Sequence, residues 1–177
     1  MHGRYADLIV IGQLDAYDSQ AGLLRARPEE VTMLAGRPVL VVPFTGDFER
    51  IDTRVLIGWD ASREAARAVK DAVPLLGHAE TVTVLTIDAE QSPFGHGEIP
   101  GADIALYLAR HGVEAEVERT VSAGIGIGNT LLSRAADHST DLLVMGAYGH
   151  SRVRELLLGG TTRTVLTSMT LPVLMSH

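Results

Sequence analysis

The sequence has no cysteine, which removes disulfides, thiolate metal ligands and thiol nucleophiles from consideration and is compatible with a reducing cytoplasm. It has no long hydrophobic run. The apolar stretch Val39-Leu40-Val41-Val42 is far short of the roughly 20 residues a membrane helix needs, and no basic segment followed by an apolar stretch opens the chain. The expectation is a cytoplasmic protein without a membrane partner. It also lacks a basic stripe: the formal charge is −7 and the arginines are scattered, which argues against a partner bound through nucleic-acid phosphates. What remains is a chain of 177 residues, 46% hydrophobic and 21% charged, enough for one good core and a fraction of another.

An internal repeat is the first positive signal. Asp7-Leu8-Ile9-Val10-Ile11-Gly12 matches Asp141-Leu142-Leu143-Val144-Met145-Gly146, and Arg37-Pro38-Val39-Leu40 matches Leu171-Pro172-Val173-Leu174, both blocks keeping the offset that separates Asp7 from Asp141. Each copy reads as buried strand, loop, helix, buried strand, because four to six apolar β-formers in a row suit a parallel strand covered on both faces. Before the second copy come further elements. Val55 to Trp59 reads as a strand, followed by a helix capped by Ser62 with Ala65, Ala66, Val69, Ala72 and Val73 at helical spacing. Thr81 to Ile87 reads as a strand, Ala102 to His111 as a helix, Glu114 to Ser122 as a half-exposed edge strand, and Asn129 to His138 as a third helix. This alternation predicts an α/β fold with an open, mainly parallel sheet and helices on both faces. Residues 1–47 form a partial β-α-β unit joined through Thr45 to Asp52 to a complete domain over residues 53–177. Strand Leu8 to Ile11 is left without an expected neighbour, so a second chain is expected to cover that edge.

The chemistry concentrates in one loop. After the strand Leu142 to Met145 come Gly146-Ala147-Tyr148-Gly149, nine residues, and then Gly159-Gly160-Thr161-Thr162 opening a helical run. Glycines let backbone N–H groups approach a phosphate, and the helix N-terminus and the two threonine hydroxyls add donors, so the segment reads as an anion cradle. Other addresses are missing. No Gly-Lys-Ser/Thr follows a glycine run, Ser122, Ser133, Ser139 and Ser151 have no nucleophile-elbow setting, and the seven histidines lack metal-ligand spacing. Gly124-Ile125-Gly126-Ile127-Gly128 reads as a tight strand-to-helix turn, His150 as an exposed loop tip, and Trp59 as sheet or interface packing. The expectation is a binding protein rather than an enzyme.

The glycine spacing after a buried strand resembles the nucleotide loop of the universal stress proteins. Ile57-Gly58-Trp59-Asp60-Ala61-Ser62 is similar to that family's first strand, Leu85-Thr86-Ile87-Asp88 to the end of its second, and Thr140 to Gly146 to its fourth. The resemblance spans residues 53–177, with residues 1–43 similar to the latter half of a preceding, truncated copy. It implies a five-stranded parallel sheet of order 3-2-1-4-5 and an ATP site, with Mg²⁺ accompanying the nucleotide. By this similarity Asp60 and Ile87 contact adenine, Met145 and Gly146 the ribose, and Gly149, Gly159, Gly160, Thr161 and Thr162 the phosphates. Gly160 stands where ATP-binding members carry Ser or Thr. A hydrogen bond to a charged group contributes roughly 1.5–3 kcal/mol, so affinity falls about tenfold to a hundredfold without that hydroxyl. The first copy has Asp15 where the second has Gly149, and Arg25-Ala26-Arg27-Pro28 replaces the later glycines, so no nucleotide is expected there. The rival function is an interaction module without nucleotide that homodimerises through its last strand, Pro172 to Met175. Adenylate or phosphate transfer is disfavoured because the Ser-Gly-Gly loop and His-x-Gly-His signature of such enzymes are missing.

Overall fold

Six short apolar runs and one mostly polar strand, Glu116–Thr120, assemble side by side in the computed structural model, which describes residues 2–14, 27–91, 99–148 and 160–177. They are β1 (Ile9–Gly12), β2 (Val39–Val42), β3 (Arg54–Gly58), β4 (Thr81–Ile87), β5 (Glu116–Thr120), β6 (Leu142–Gly146) and β7 (Val173–Ser176). They lie in one sheet in the order β1-β2-β7-β6-β3-β4-β5. The five-stranded sheet expected from the resemblance is therefore corrected to seven strands: β1 and β2 do not stand apart but continue the sheet beyond β7. All pairs are parallel except β2 with β7.

That antiparallel pair joins the two copies of the repeat. Leu40 lies opposite Leu174, its own repeat counterpart, and Val39 and Val41 lie opposite Met175 and Val173, so a local pseudo-two-fold axis passes through the two leucines. The outer edge of β7 is consequently filled from within the chain. Dimerisation through Pro172 to Met175, the expected contact of the rival function, is excluded because both sides of that strand are already paired. Gln13, buried at the end of β1, fastens the seam: its Nε2 donates to the carbonyls of Leu166 and Thr167 at 2.8 and 3.3 Å, and its Oε1 accepts from the Phe44 N–H.

Side-chain alternation divides the interior into two layers. Leu143, Met145, Val173, Val39 and Leu56 face one core with α4 (Ile127–Asp137) and α5 (Gly160–Ser168), and Val31 of α1 (Pro28–Ala35) packs against it. Leu142, Val144, Leu174, Leu40 and Ile57 face the other, under α2 (Arg63–Leu76) and α3 (Ala102–Arg110). α2 starts where Ser62 accepts the Ala65 N–H at 3.1 Å, as its sequence position predicts, and it buries Ala65, Ala68, Val69, Ala72 and Leu76 on one stripe. The start of β6 is tied to the start of β3 by the Asp141 carboxylate, which accepts both the Thr53 and the Arg54 N–H groups at 3.0–3.2 Å.

Candidate functional site

The connection from β3 runs outward to β4 and β5 and then returns to β6 on the other side of β3. That reversal opens a crevice at the carboxyl ends of β3 and β6, the usual ligand position in an open α/β sheet. A cavity of about 140 Å³ lies there. Asp60, Ile87, Met145, Gly146, Gly160, Thr161 and Thr162 all line it, so the structure brings together seven of the nine residues the sequence singled out. Gly149 and Gly159, like His150, lie outside the described residues.

Six further residues complete the lining: Gly58, Trp59, Leu85, Ile127, Leu131 and Tyr148. Ile127 and Leu131 come from the first turns of α4, Ile127 within the glycine run read as a mere turn and Leu131 just beyond it. They place an i, i+4 apolar pair over the crevice. Trp59 does pack against the core, as the sheet-packing reading expects, but it also borders the cavity. With Leu85, Ile87 and Met145 these residues make one apolar end, suited to a flat heterocycle.

The other end is polar. The first turn of α5, Gly160-Thr161-Thr162, faces the cavity, and the leading N–H groups of a helix have no partner within it, so they present donors and a partial positive charge. Thr162 is buried, and its Oγ1 accepts the Tyr148 N–H at 3.3 Å, which pins the turn after β6 to α5. Its hydroxyl therefore has a structural task beside any role toward a ligand. Asp60 lines the cavity while its Oδ1 accepts the Ser62 N–H at 2.9 Å, fixing the turn that starts α2. Among the described lining residues Asp60 carries the only formal charge. Asp88, next to Ile87, turns away: its carboxylate accepts the Ser122 N–H at 3.0 Å, and hydrogen bonding to Ser122 holds its pKa below the usual value.

Gly146 is required here for a reason other than the one its motif suggested. A Cβ at this position would stand 2.5 Å from the Ala65 nitrogen and 2.7 Å from the Glu64 carbonyl carbon, so it is the backbone of α2, packed onto the end of β6, that excludes any side chain. At Gly160 a Cβ would meet nothing within 4 Å among the described residues.

Tyr148 adopts a left-handed backbone (φ 64°) and reaches from the cavity wall toward α1. Burial first, and the nearby Glu29 carboxylate second, push its phenol well above its ordinary pKa of 10.0. Neither the Tyr148 hydroxyl nor Glu29 Oε2 finds a hydrogen-bond partner among the described residues. Because the folded pKa is raised, the neutral phenol's contribution to stability is complete below the unfolded value near 10 and declines as pH rises above it. A Tyr148→Phe chain should be at least as stable as the parent at pH 7 and should lose less stability between pH 9 and 11, since an unsatisfied buried hydroxyl costs about 1–3 kcal/mol. Thermal melts across that pH range check this.

Known proteins resemble this chain in sequence and in fold. The universal stress protein family profile matches residues 53–177, the segment that holds β3 to β7 and every residue lining the cavity. The chain belongs to the universal stress protein family. A universal stress protein of Synechocystis sp. is 31% identical over 171 residues, covering 95% of this chain and 57% of the relative, so this universal stress protein spans little more than half of that curated relative's length. Among solved structures, a universal stress protein from Archaeoglobus fulgidus superposes with a TM-score of 0.68 at 22% identity, covering 96% of this chain and 60% of the other. One from Lactobacillus plantarum gives 0.56 at 23% identity, covering 71% and 97%. A universal stress protein in complex with cAMP gives 0.50 at 22% identity, covering 72% and 99%. No helix among the described residues is long and apolar enough to cross a membrane.

Proposed function

We propose that this universal stress protein binds an adenine nucleotide, ATP with its Mg²⁺, in the crevice between β3 and β6, and that occupancy stabilises one state of the molecule rather than leading to turnover. The observation that supports this most is the gathering of Asp60, Ile87, Met145 and the Gly160 to Thr162 turn around one cavity, with an apolar slot at one end and helix amides at the other. The base packs among Leu85, Ile87, Leu131 and Met145, and the phosphates meet the α5 N-terminus and the backbone after Gly146. A structural neighbour in complex with cAMP, itself an adenine nucleotide, is in keeping with this ligand class. Asp60 is engaged with the Ser62 N–H, which suits a positioning role better than proton transfer. Family membership supports a role in stress response, exercised in the cytoplasm. Under this function residues 1–47 are a degenerate partial copy that braces α5 through Gln13 and holds no nucleotide of its own. A homodimer formed by strand pairing would use β1 or β5, the two strands at the ends of the sheet.

Isothermal titration with ATP and Mg²⁺ should give saturable heat at one nucleotide per chain. No heat up to millimolar ATP would favour the interaction module instead, a rival supported by Gly160 lacking a hydroxyl.

A further inference from the structure

The open edge of β1 duplicates, residue for residue, an edge that is covered elsewhere in the same molecule. Asp7, Leu8 and Val10 correspond by the internal repeat to Asp141, Leu142 and Val144. The backbone repeats as well: the Ile9 N–H donates to the Pro38 carbonyl and the Leu143 N–H to the Pro172 carbonyl, each at 3.0 Å. In the second copy the far side of the strand is closed. β3 lies parallel beside β6 with Ile57 opposite Val144, the Asp141 carboxylate accepts the two N–H groups that open β3, and α2 lies over Leu142 and Val144, both fully buried.

In the first copy those groups have no counterpart among the described residues. Ile9 and Gln13 donate to β2, so alternate residues face that neighbour and the Val10 and Gly12 N–H groups point outward. Val10 is 59% exposed, against 0% for Val144. Asp7 is exposed and its carboxylate makes no hydrogen bond among the described residues.

We infer that the β1 edge is a docking surface for a strand–helix unit. A strand lies parallel to β1 with an apolar residue opposite Val10 and two N–H groups on the Asp7 carboxylate, and an amphipathic helix with small apolar residues along its stripe, like Ala65, Ala68 and Ala72 of α2, covers Leu8 and Val10. A lone strand, such as β1 of a second copy, would satisfy the edge amides but leave Val10 in water and Asp7 unused. The occupant is therefore a β-α unit of this same fold supplied by another segment of polypeptide. This inference is independent of nucleotide binding.

The test uses the full chain with a duplicate of residues 53–77 attached to its N-terminus through a flexible linker of about 15 residues, which supplies the unit at roughly millimolar effective concentration. Amide hydrogen exchange should slow by about tenfold or more at Val10 and Gly12 relative to the unextended chain, because both N–H groups gain acceptors. Val10→Pro removes an N–H that the fold itself does not use. It should leave the melting temperature of the unextended chain unchanged and abolish the slowing at Gly12 in the extended one. Equal exchange at Val10 and Gly12 with and without the duplicate overturns the inference. So does protection in the unextended chain that grows with protein concentration, which would assign the edge to a second copy.

Discussion

A Gly146→Val chain should melt roughly 4–12 °C below the parent, from an overpacking cost of about 2–3 kcal/mol at about 2–4 °C per kcal/mol in a domain of this size. The atoms a new Cβ would strike, the Ala65 nitrogen and Cα and the Glu64 carbonyl carbon, are all backbone, and no rotamer change moves them. α2 cannot retreat cheaply, because its first turn is held by the Ser62 cap and by Asp60 accepting the Ser62 N–H. Any shift therefore passes into the Asp60 turn and the crevice, so affinity for nucleotide should fall together with stability. Gly160→Ala is the control. Its Cβ meets none of the described residues at the start of α5, where alanine is the better helix former, and the chain should melt no lower than the parent. Calorimetric melts of the two variants decide the matter, and equal melting temperatures would mean that β6 and α2 do not meet as described.

Gly160→Ser should tighten ATP binding by about tenfold, the low end of what a hydrogen bond to a charged phosphate contributes. The position lines the cavity in the first turn of α5, and a Cβ there meets none of the described residues, so the hydroxyl can join the helix amides without displacing any of them. Gly160→Ala separates the causes: if the gain comes from the hydroxyl, alanine should bind like glycine. Titration calorimetry on the three chains measures both steps. A serine variant that binds no tighter would place the phosphates away from this turn.

The elements and most of the site could be read from residues because their causes are local. Val144 and Leu174 sit in runs of apolar β-formers, Ser62 precedes a helical stripe, and the glycines cluster after a buried strand. Three features could not be read in that way. The antiparallel seam of Leu40 with Leu174 leaves no trace in either strand, since an apolar run looks the same whether one edge or both are paired. Hence the sheet has seven strands where five were expected, and β7 is no dimer edge. Ile127 and Leu131 are an i, i+4 pair of the kind every buried helix carries, and only the return of the chain to β6 places them over the crevice. Gly146 was legible as necessary, but its reason, contact with the backbone of α2, depends on residues some 80 positions earlier in the chain.

The account stands on the crevice between β3 and β6 being where an adenine nucleotide binds. The chain contains a single tryptophan, Trp59, and it borders that crevice, so tryptophan emission excited selectively over the four tyrosines reports on the site. Titrating ATP and Mg²⁺ should shift Trp59 emission along a saturable curve that returns to its starting point when the nucleotide is dialysed away. Emission that stays constant to millimolar ATP, while calorimetry shows heat of binding, would put the nucleotide elsewhere and contradict the account.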